Sequence, residues 1–307
     1  MKESDSVNRP WHLPLLLTLG VFAISSAAIF IKLSDDAPPL IIAAARMTIA
    51  TFALLPVMAW TRGGRLLRIP KECWIPVGLA GAMIAAHFAF WITSLKHTSV
   101  LSSVVLVTTN PLFVGIGSYV FFRERIATGL VVGILLGVAG GILITLSDAK
   151  GAAGSVYGNF LSLGGAVMMS GYLMIGRKIR RDVDAFSYLL AVNGLAAVIL
   201  CAAVVIVGDS PRGLRSSTYV YFFLLGIVPQ LIGHGALNYA LKHVTATFIA
   251  VCILGEPVGA SLFAFFFLGE TVTVLQGLGG LLILAGIFSA SRTGNRVGAA
   301  ENTSQSV

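Results

Sequence analysis

Charged residues make up only 11% of this 307-residue chain, against roughly 25% in soluble domains. That density cannot cover a water-exposed surface. With 56% hydrophobic residues and a mean hydropathy of +0.90, the surface is built for lipid. Cysteine is also rare: Cys73, Cys201 and Cys252 are odd in number and lie in or beside apolar runs, so no disulfide framework is implied. The longest loops are about a dozen residues, too short for a separate soluble domain. Paired acids at membrane depth, a His-Glu-x-x-His, a Gly-x-Ser-x-Gly and a phosphate-cradling Gly-rich loop are all missing. Hydrolytic, metal and nucleotide chemistry therefore have no sequence support, and no cofactor is expected. No small-residue cleavage pattern clearly follows the first apolar run, which is read as retained.

Apolar runs bounded by charges, Gly or Pro predict ten helices of about the 20 residues that cross a hydrocarbon core. Five fall in a first half: 13–31, 40–60, 74–95, 98–122 and 128–146. Five more follow at 156–175, 186–207, 219–241, 244–268 and 272–291. The polar, small-residue-rich end from Thr293 to Val307 is expected to be a disordered tail. Lys and Arg set the orientation. With both termini in the cytoplasm, fifteen basic residues fall in inside segments and five in outside loops, leaving Arg46 within a span. The net charge of +8 thus lines one membrane face, and no nucleic-acid partner is expected.

The halves repeat. Leu95-Lys96-His97 recurs as Leu241-Lys242-His243, Pro111 as Pro257, Glu124 as Glu270, Gly133 as Gly279 and Gly140 as Gly286, all 146 positions on. Gly20 and Ser25 match Gly165 and Ser170 at 145. A unit of five helices is odd, so the second half is inverted. The fold class expected is an all-α membrane protein of ten transmembrane helices in two inverted five-helix repeats, 13–146 and 156–291, with a cytoplasmic tail at 292–307. Many secondary transporters share that architecture and bind substrate near the midplane between the halves.

These residues carry a family resemblance. The chain resembles EamA-type members of the drug/metabolite transporter superfamily in its two five-helix units, in Arg46 of the second helix, and in Pro257 followed by Gly269-Glu270 at the end of the ninth. The first half departs from the pattern, with Arg123-Glu124 where Gly-Glu is favoured. The resemblance covers Leu13 to Ser291 and implies an inner-membrane, multi-pass carrier of small metabolites, often amino acids and frequently outward. It names no substrate.

Glu256 is the sole acid at mid-membrane depth. An ionised carboxylate there costs roughly 2.5–3.5 kcal/mol to insert, so it must be protonated, paired or hydrated. It is a candidate for proton coupling; the alternative is a static pair with Arg46, or a capped group at a helix broken by Pro257. Its repeat mate is Asn110. Arg46 suits a carboxylate or phosphate through paired hydrogen bonds, or orients its helix by snorkelling. If both charges face one interior, the site fits a zwitterion. Gln230, His234 and Asn238 recur every four residues in the eighth span, as His87 and Trp91 do in the third, and these stripes are candidate substrate-binding walls. Trp91, Phe88 and Phe22 could supply apolar contact.

Ser99, Ser102, Ser103, Thr109 and Asn110 share one face of the fourth span, and the ninth span's equivalent face is Thr245, Phe248, Ile249, Cys252, Gly255, Glu256 and Gly259. Taken singly, each Ser or Thr is better explained by helix–helix hydrogen bonding, worth about 0.6 kcal/mol on average. Gly129, Gly133, Gly137 and Gly141 form a small-residue ridge on the fifth span, for packing within the chain or for a homodimer. Glu124 and Glu270 are expected to stabilise helix junctions. The function expected is secondary active export of amino acids or related compounds by alternating access. A passive channel is the nearest competitor, and a membrane interaction or sensory protein the next.

Overall fold

The structure is a computed structural model and describes residues 12–62, 69–122, 128–149, 155–179, 183–240, 253 and 255–304. Within them every regular element is helical. In chain order these are α1 (Leu13–Ser25), α2 (Ala27–Leu33), α3 (Pro39–Arg62), α4 (Trp74–His97), α5 (Val100–Val107), α6 (Asn110–Phe122), α7 (Thr128–Ala149), α8 (Ser155–Ile179) and α9 (Ala185–Val207). Then come α10 (Ser216–Leu225), a π-helical segment (Gly226–Gly233), α11 (His234–Ala240), α12 (Gly255–Leu268) and α13 (Val274–Ser304). Among the described residues seven helical stretches are long and apolar enough to cross a membrane: Leu13–Leu33, Pro39–Val57, Lys71–His97, Val100–Phe121, Val156–Gly176, Phe186–Val207 and Ser216–Leu237. Three shorter apolar helices join them, Val131–Ile144, Gly255–Leu268 and Val274–Ser289. Thr245, Phe248, Ile249, Cys252, Arg123 and Glu124 lie outside the described residues.

Two boundaries differ from the sequence reading. The span expected at 98–122 breaks at Thr108-Thr109, whose hydroxyls donate back to the Val105 and Leu106 carbonyls at 2.9 and 2.7 Å. The chain restarts as α6 with Pro111 in its first turn, where proline's missing N–H is harmless. At the other end α13 stays helical to Ser304, past Thr293 where a disordered tail was expected. No proline interrupts that stretch, and the Ala299-Ala300-Glu301 run favours helix.

Helices in lipid gain nothing from burying Leu against Leu, so close approach of small residues decides which neighbours pair. The glycines of α8 do this against α4: a Cβ on Gly165 would sit 3.5 Å from Trp91 Cβ, and one on Gly158 2.9 Å from Thr98 Cβ. At the equivalent contact between the halves Gly20 of α1 meets Ala236, and Gly233 meets Ile24. The α7–α13 crossing is tighter still. A Cβ on Gly279 would lie 2.6 Å from the Gly140 carbonyl oxygen, and one on Gly286 2.7 Å from that of Gly133. Of the ridge, Gly133 and Gly137 meet Gly286 of α13 and Gly141 faces Leu106 of α5, while Gly140, outside the ridge, completes the crossing.

These contacts obey a pseudo-two-fold. Gly133 with Gly286 and Gly140 with Gly279 exchange under the 146-residue shift. Two hydrogen bonds correspond as well, with the serines 145 positions apart and their acceptors 146: Ser25 Oγ donates to the Glu256 carbonyl at 3.3 Å, and Ser170 Oγ to the Asn110 carbonyl at 2.9 Å.

One face of the bundle is laced by ionic contacts between the halves. Gly269, at φ +67°, ends α12 in the left-handed region that favours glycine and turns the chain towards α5. Glu270 there accepts the Val100 N–H at 2.8 Å, capping α5, and pairs with Lys32 at 3.5 Å. This is the helix-junction role expected for it. Lys32 also donates to the Thr98 carbonyl at 2.8 Å, and Lys96 to that of Ser34 at 2.6 Å. Arg215 contacts Asp35 and Asp36, and the Asp36 carboxylate accepts the Thr218 hydroxyl at 2.6 Å and the Arg215 N–H at 2.7 Å.

The Thr218 hydroxyl, followed by the Arg215 N–H, holds the Asp36 carboxyl below its usual pKa. A depressed folded pKa adds stability above the unfolded value of about 3.9 and loses it as pH falls through the folded pKa. Asp36→Asn should therefore melt below wild type at pH 7, with the gap closing towards pH 3. Paired thermal melts across that range check this, and a gap of constant size contradicts it.

Candidate substrate site

Arg46 is the largest fully buried side chain among the described residues, 1% exposed. Pro38 and Pro39 start α3 sharply, with the Ile41 and Ile42 N–H groups returning to the Pro38 carbonyl, and so place Arg46 two turns into the span. Its Nε donates to Gln230 Oε1 at 2.9 Å. Gln230 reaches it from the π-helical segment. Pro229 has no N–H to close an ordinary turn, and the backbone there widens to i→i+5 bonding. Gly226 lets that segment rest directly on Ile49 of α3, one turn beyond Arg46.

The guanidinium also lies over aromatic rings of α4. Its carbon stands 4.2 Å from the Phe88 centroid and 5.8 Å from that of Trp91, within cation–π range of both. His87 stacks on Trp91 with an interplanar angle of 13° and meets Phe88 edge-on at 4.8 Å. Its Nδ1 lies 2.9 Å from the Gly165 carbonyl. A carbonyl only accepts, so Nδ1 carries a proton. Gly165 is one of the glycines on which α8 rests against this helix, so the same residue helps to seat α4 and orients the histidine.

Two donors in this cluster have no acceptor among the described residues: Arg46 Nη1 and Trp91 Nε1, on side chains 1% and 4% exposed. Glu256, half-buried in the first turn of α12, makes no ion pair with Arg46 among the described residues, although the two charges interact at longer range. His234, at the start of α11, lies within electrostatic reach of both Arg46 and His87.

The structure thus assembles Arg46, His87, Trp91 and Gln230, with His234 and Glu256 around them. It does not bring everything there. Asn110 offers its carbonyl to Ser170, and no hydrogen bond joins its side chain to the cluster among the described residues. The side chain of Asn238 lies outside the described residues. Phe22 is 53% exposed and meets Phe263 of α12, not Arg46.

The serine face of the fourth span is spent on packing. Ser94, Ser103 and Ser162 close a buried triangle of 2.6, 3.0 and 2.8 Å joining α4, α5 and α8. Ser99 caps α5, and Gln276 of α13 donates to Ser99 and Ser102 at 3.3 Å. Sequence reasoning had no sign of the Arg46–Phe88 stack. The Ser25 and Ser170 bonds were foreshadowed only by the repeat offset.

The repeat holds the scaffold symmetric while the chemistry is one-sided. Ile84, 146 positions before Gln230, is apolar, and Glu256 faces Asn110 across the same shift. An all-helical, multi-pass membrane protein with two related halves around a buried cation belongs to the class of membrane transporters. The chain matches the profile of the EamA-like transporter family over residues 13–146 and 156–292, and it belongs to that family and to the drug/metabolite transporter superfamily.

It is 24% identical to an uncharacterized transporter of Archaeoglobus fulgidus over 92% of this chain and 97% of that one. The uncharacterized transporter YwfM of Bacillus subtilis is 25% identical over 84% and 86%. Mouse solute carrier family 35 member G1 is 26% identical over 83% and 71%. A solved crystal structure superposes with a TM-score of 0.67 at 21% identity, covering 93% of this chain and 98% of its own, a likeness of fold.

Proposed function

We propose that this transporter is a secondary active exporter of amino acids or closely related metabolites in the plasma membrane. Ten spans in two inverted repeats, with both termini cytoplasmic, rock about a midplane site and expose it to each side in turn. The distribution of Lys and Arg supports that orientation. The observation that carries the reading is a fully buried Arg46 laid over Phe88 and Trp91 with its Nη1 donor unmatched among the described residues, while Glu256 in the first turn of α12 makes no direct ion pair with it. Opposite charges held apart suit a zwitterion whose two ends each meet one of them. Phe88 and Trp91 beside Arg46 supply apolar surface for the remainder of the substrate. Glu256 is the group whose protonation couples movement to the proton gradient.

The test is metabolite profiling of medium and cytoplasm from bacteria expressing wild type, Glu256→Gln or neither at equal membrane levels. Wild type should move one amino-acid class outward, and Glu256→Gln should reduce that net efflux at least tenfold, as should a protonophore on wild type. Equal efflux by both chains removes Glu256 from the cycle. Efflux that ignores the protonophore favours a passive route.

A further inference from the structure

We infer that Arg46 Nη1 and Trp91 Nε1 form a two-donor clamp for a carboxylate of the transported molecule, which makes the Trp91 indole N–H a specificity-determining group. The inference rests on the reading above that this interior is the substrate site.

Buried donors are almost always matched, because an unmatched one forfeits its hydration, at about 1–3 kcal/mol and more for a charged group. Two unmatched donors in one cluster, on side chains 1% and 4% exposed, call for an acceptor supplied from outside the fold. Among the described residues no acceptor, His87 Nε2 included, takes a hydrogen bond from either donor. Gln230 Oε1 takes Arg46 Nε, the Gly165 carbonyl takes His87 Nδ1, and Glu256 makes no ion pair with Arg46. The guanidinium is held on two sides, its Nε edge by Gln230 and its face by Phe88, which aims the remaining edge. A guanidinium fixed in this way matches the flat, two-oxygen geometry of a carboxylate better than a single hydroxyl or ketone.

The geometry permits both donors to serve one group. The guanidinium carbon is 5.8 Å from the Trp91 ring centre, and a carboxylate taking a hydrogen bond of about 2.7–3.0 Å on each oxygen spans donors several ångströms apart. Charge selects carboxylate over phosphate. Arg46 neutralises one unit, whereas a phosphate brings about −1.5 to −2 into a space that already holds Glu256. The indole N–H cannot accept a hydrogen bond, so it rejects donors such as an ammonium and fixes which end of a zwitterion faces Arg46.

The experiment uses the purified full chain in detergent and thermal-shift titration. The probes are the twenty proteinogenic L-amino acids plus acetate, benzoate and pyruvate, with each binder paired with its amide and with the amine that lacks the carboxyl group. Trp91→Phe keeps a ring against Arg46 and deletes the N–H. It should melt near wild type without ligand, bind the best carboxylate five- to tenfold more weakly, and leave binding of the amine unchanged. Amide and amine should bind wild type at least tenfold more weakly than the carboxylate. If Trp91→Phe binds the best carboxylate as wild type does, if carboxylate and amine bind wild type alike, or if no carboxylate binds, the clamp is overturned. If amino acids fail while another carboxylate binds with the Trp91 dependence, the clamp stands and the amino-acid reading falls.

Discussion

Arg46→Met will leave the protein melting within roughly 3 °C of wild type while lowering transport at least a hundredfold. The two halves of that expectation come from one balance. On the favourable side Arg46 makes one charged hydrogen bond to Gln230, worth about 1.5–3 kcal/mol, and a desolvated cation–π contact over Phe88 of about 2. Against these stand an insertion cost of roughly 2.5–3.5 kcal/mol for a mid-membrane cation and the unmatched Nη1 donor, about 1–3. The sides nearly cancel. Methionine fills much of the volume, keeps contact with the rings and carries no charge. A residue kept for stability would cost far more to remove, so an unchanged melt with dead transport marks Arg46 as a substrate-binding group. Thermal melts and efflux from equal amounts of membrane protein decide it. A drop of ten degrees or more, or retained efflux, sinks the argument.

Gly140→Ala is expected to be the most damaging small substitution, at about 2–3 kcal/mol. An added Cβ would overlap the Gly279 carbonyl oxygen and approach Ile283, so α7 and α13 must separate. Backbone cannot turn aside as a side-chain end can. Its symmetry mate Gly286→Ala presses on the Gly133 carbonyl from the same crossing and should cost a similar amount. The double variant should cost less than the sum, because helices parted by the first methyl have already made room for the second. Gly78→Ala is the contrast: nothing lies within 4 Å of its Cβ, so it should be neutral or slightly stabilising through helix propensity. Melting temperatures of the four purified variants test the set, and a Gly140→Ala protein as stable as wild type would show that this crossing is not tight.

Much of the scaffold was legible because its signals are local or periodic. Apolar run length marks a span, and the shift from Pro111 to Pro257 marks a repeat without any knowledge of contacts. Even the Gly269-Glu270 pair has a local cause, a left-handed glycine that turns an acid onto the start of α5. The site was legible only in its parts list. Arg46, His87, Trp91 and Gln230 could be named as candidates, and the serines of the fourth span pack against α8 and α13 as expected of them singly, yet Phe22, named as apolar contact for the substrate, meets Phe263. A helical stripe records which residues share a face. It does not record which way that face is turned.

What the sequence determined alone, then, is a membrane chain of repeated helical halves, because scarcity of charge, span length and a constant offset are properties of one dimension. Tertiary structure decided that Arg46 rests on Phe88 and Gln230 and makes no pair with Glu256, that Pro229 widens its helix into the π form that presents Gln230, and that Ser25 and Ser170 bond to the carbonyls of Glu256 and Asn110. Each of these depends on the rotation of one helix about its axis and on how closely a glycine lets its neighbour approach. Packing among all the helices sets both quantities at once.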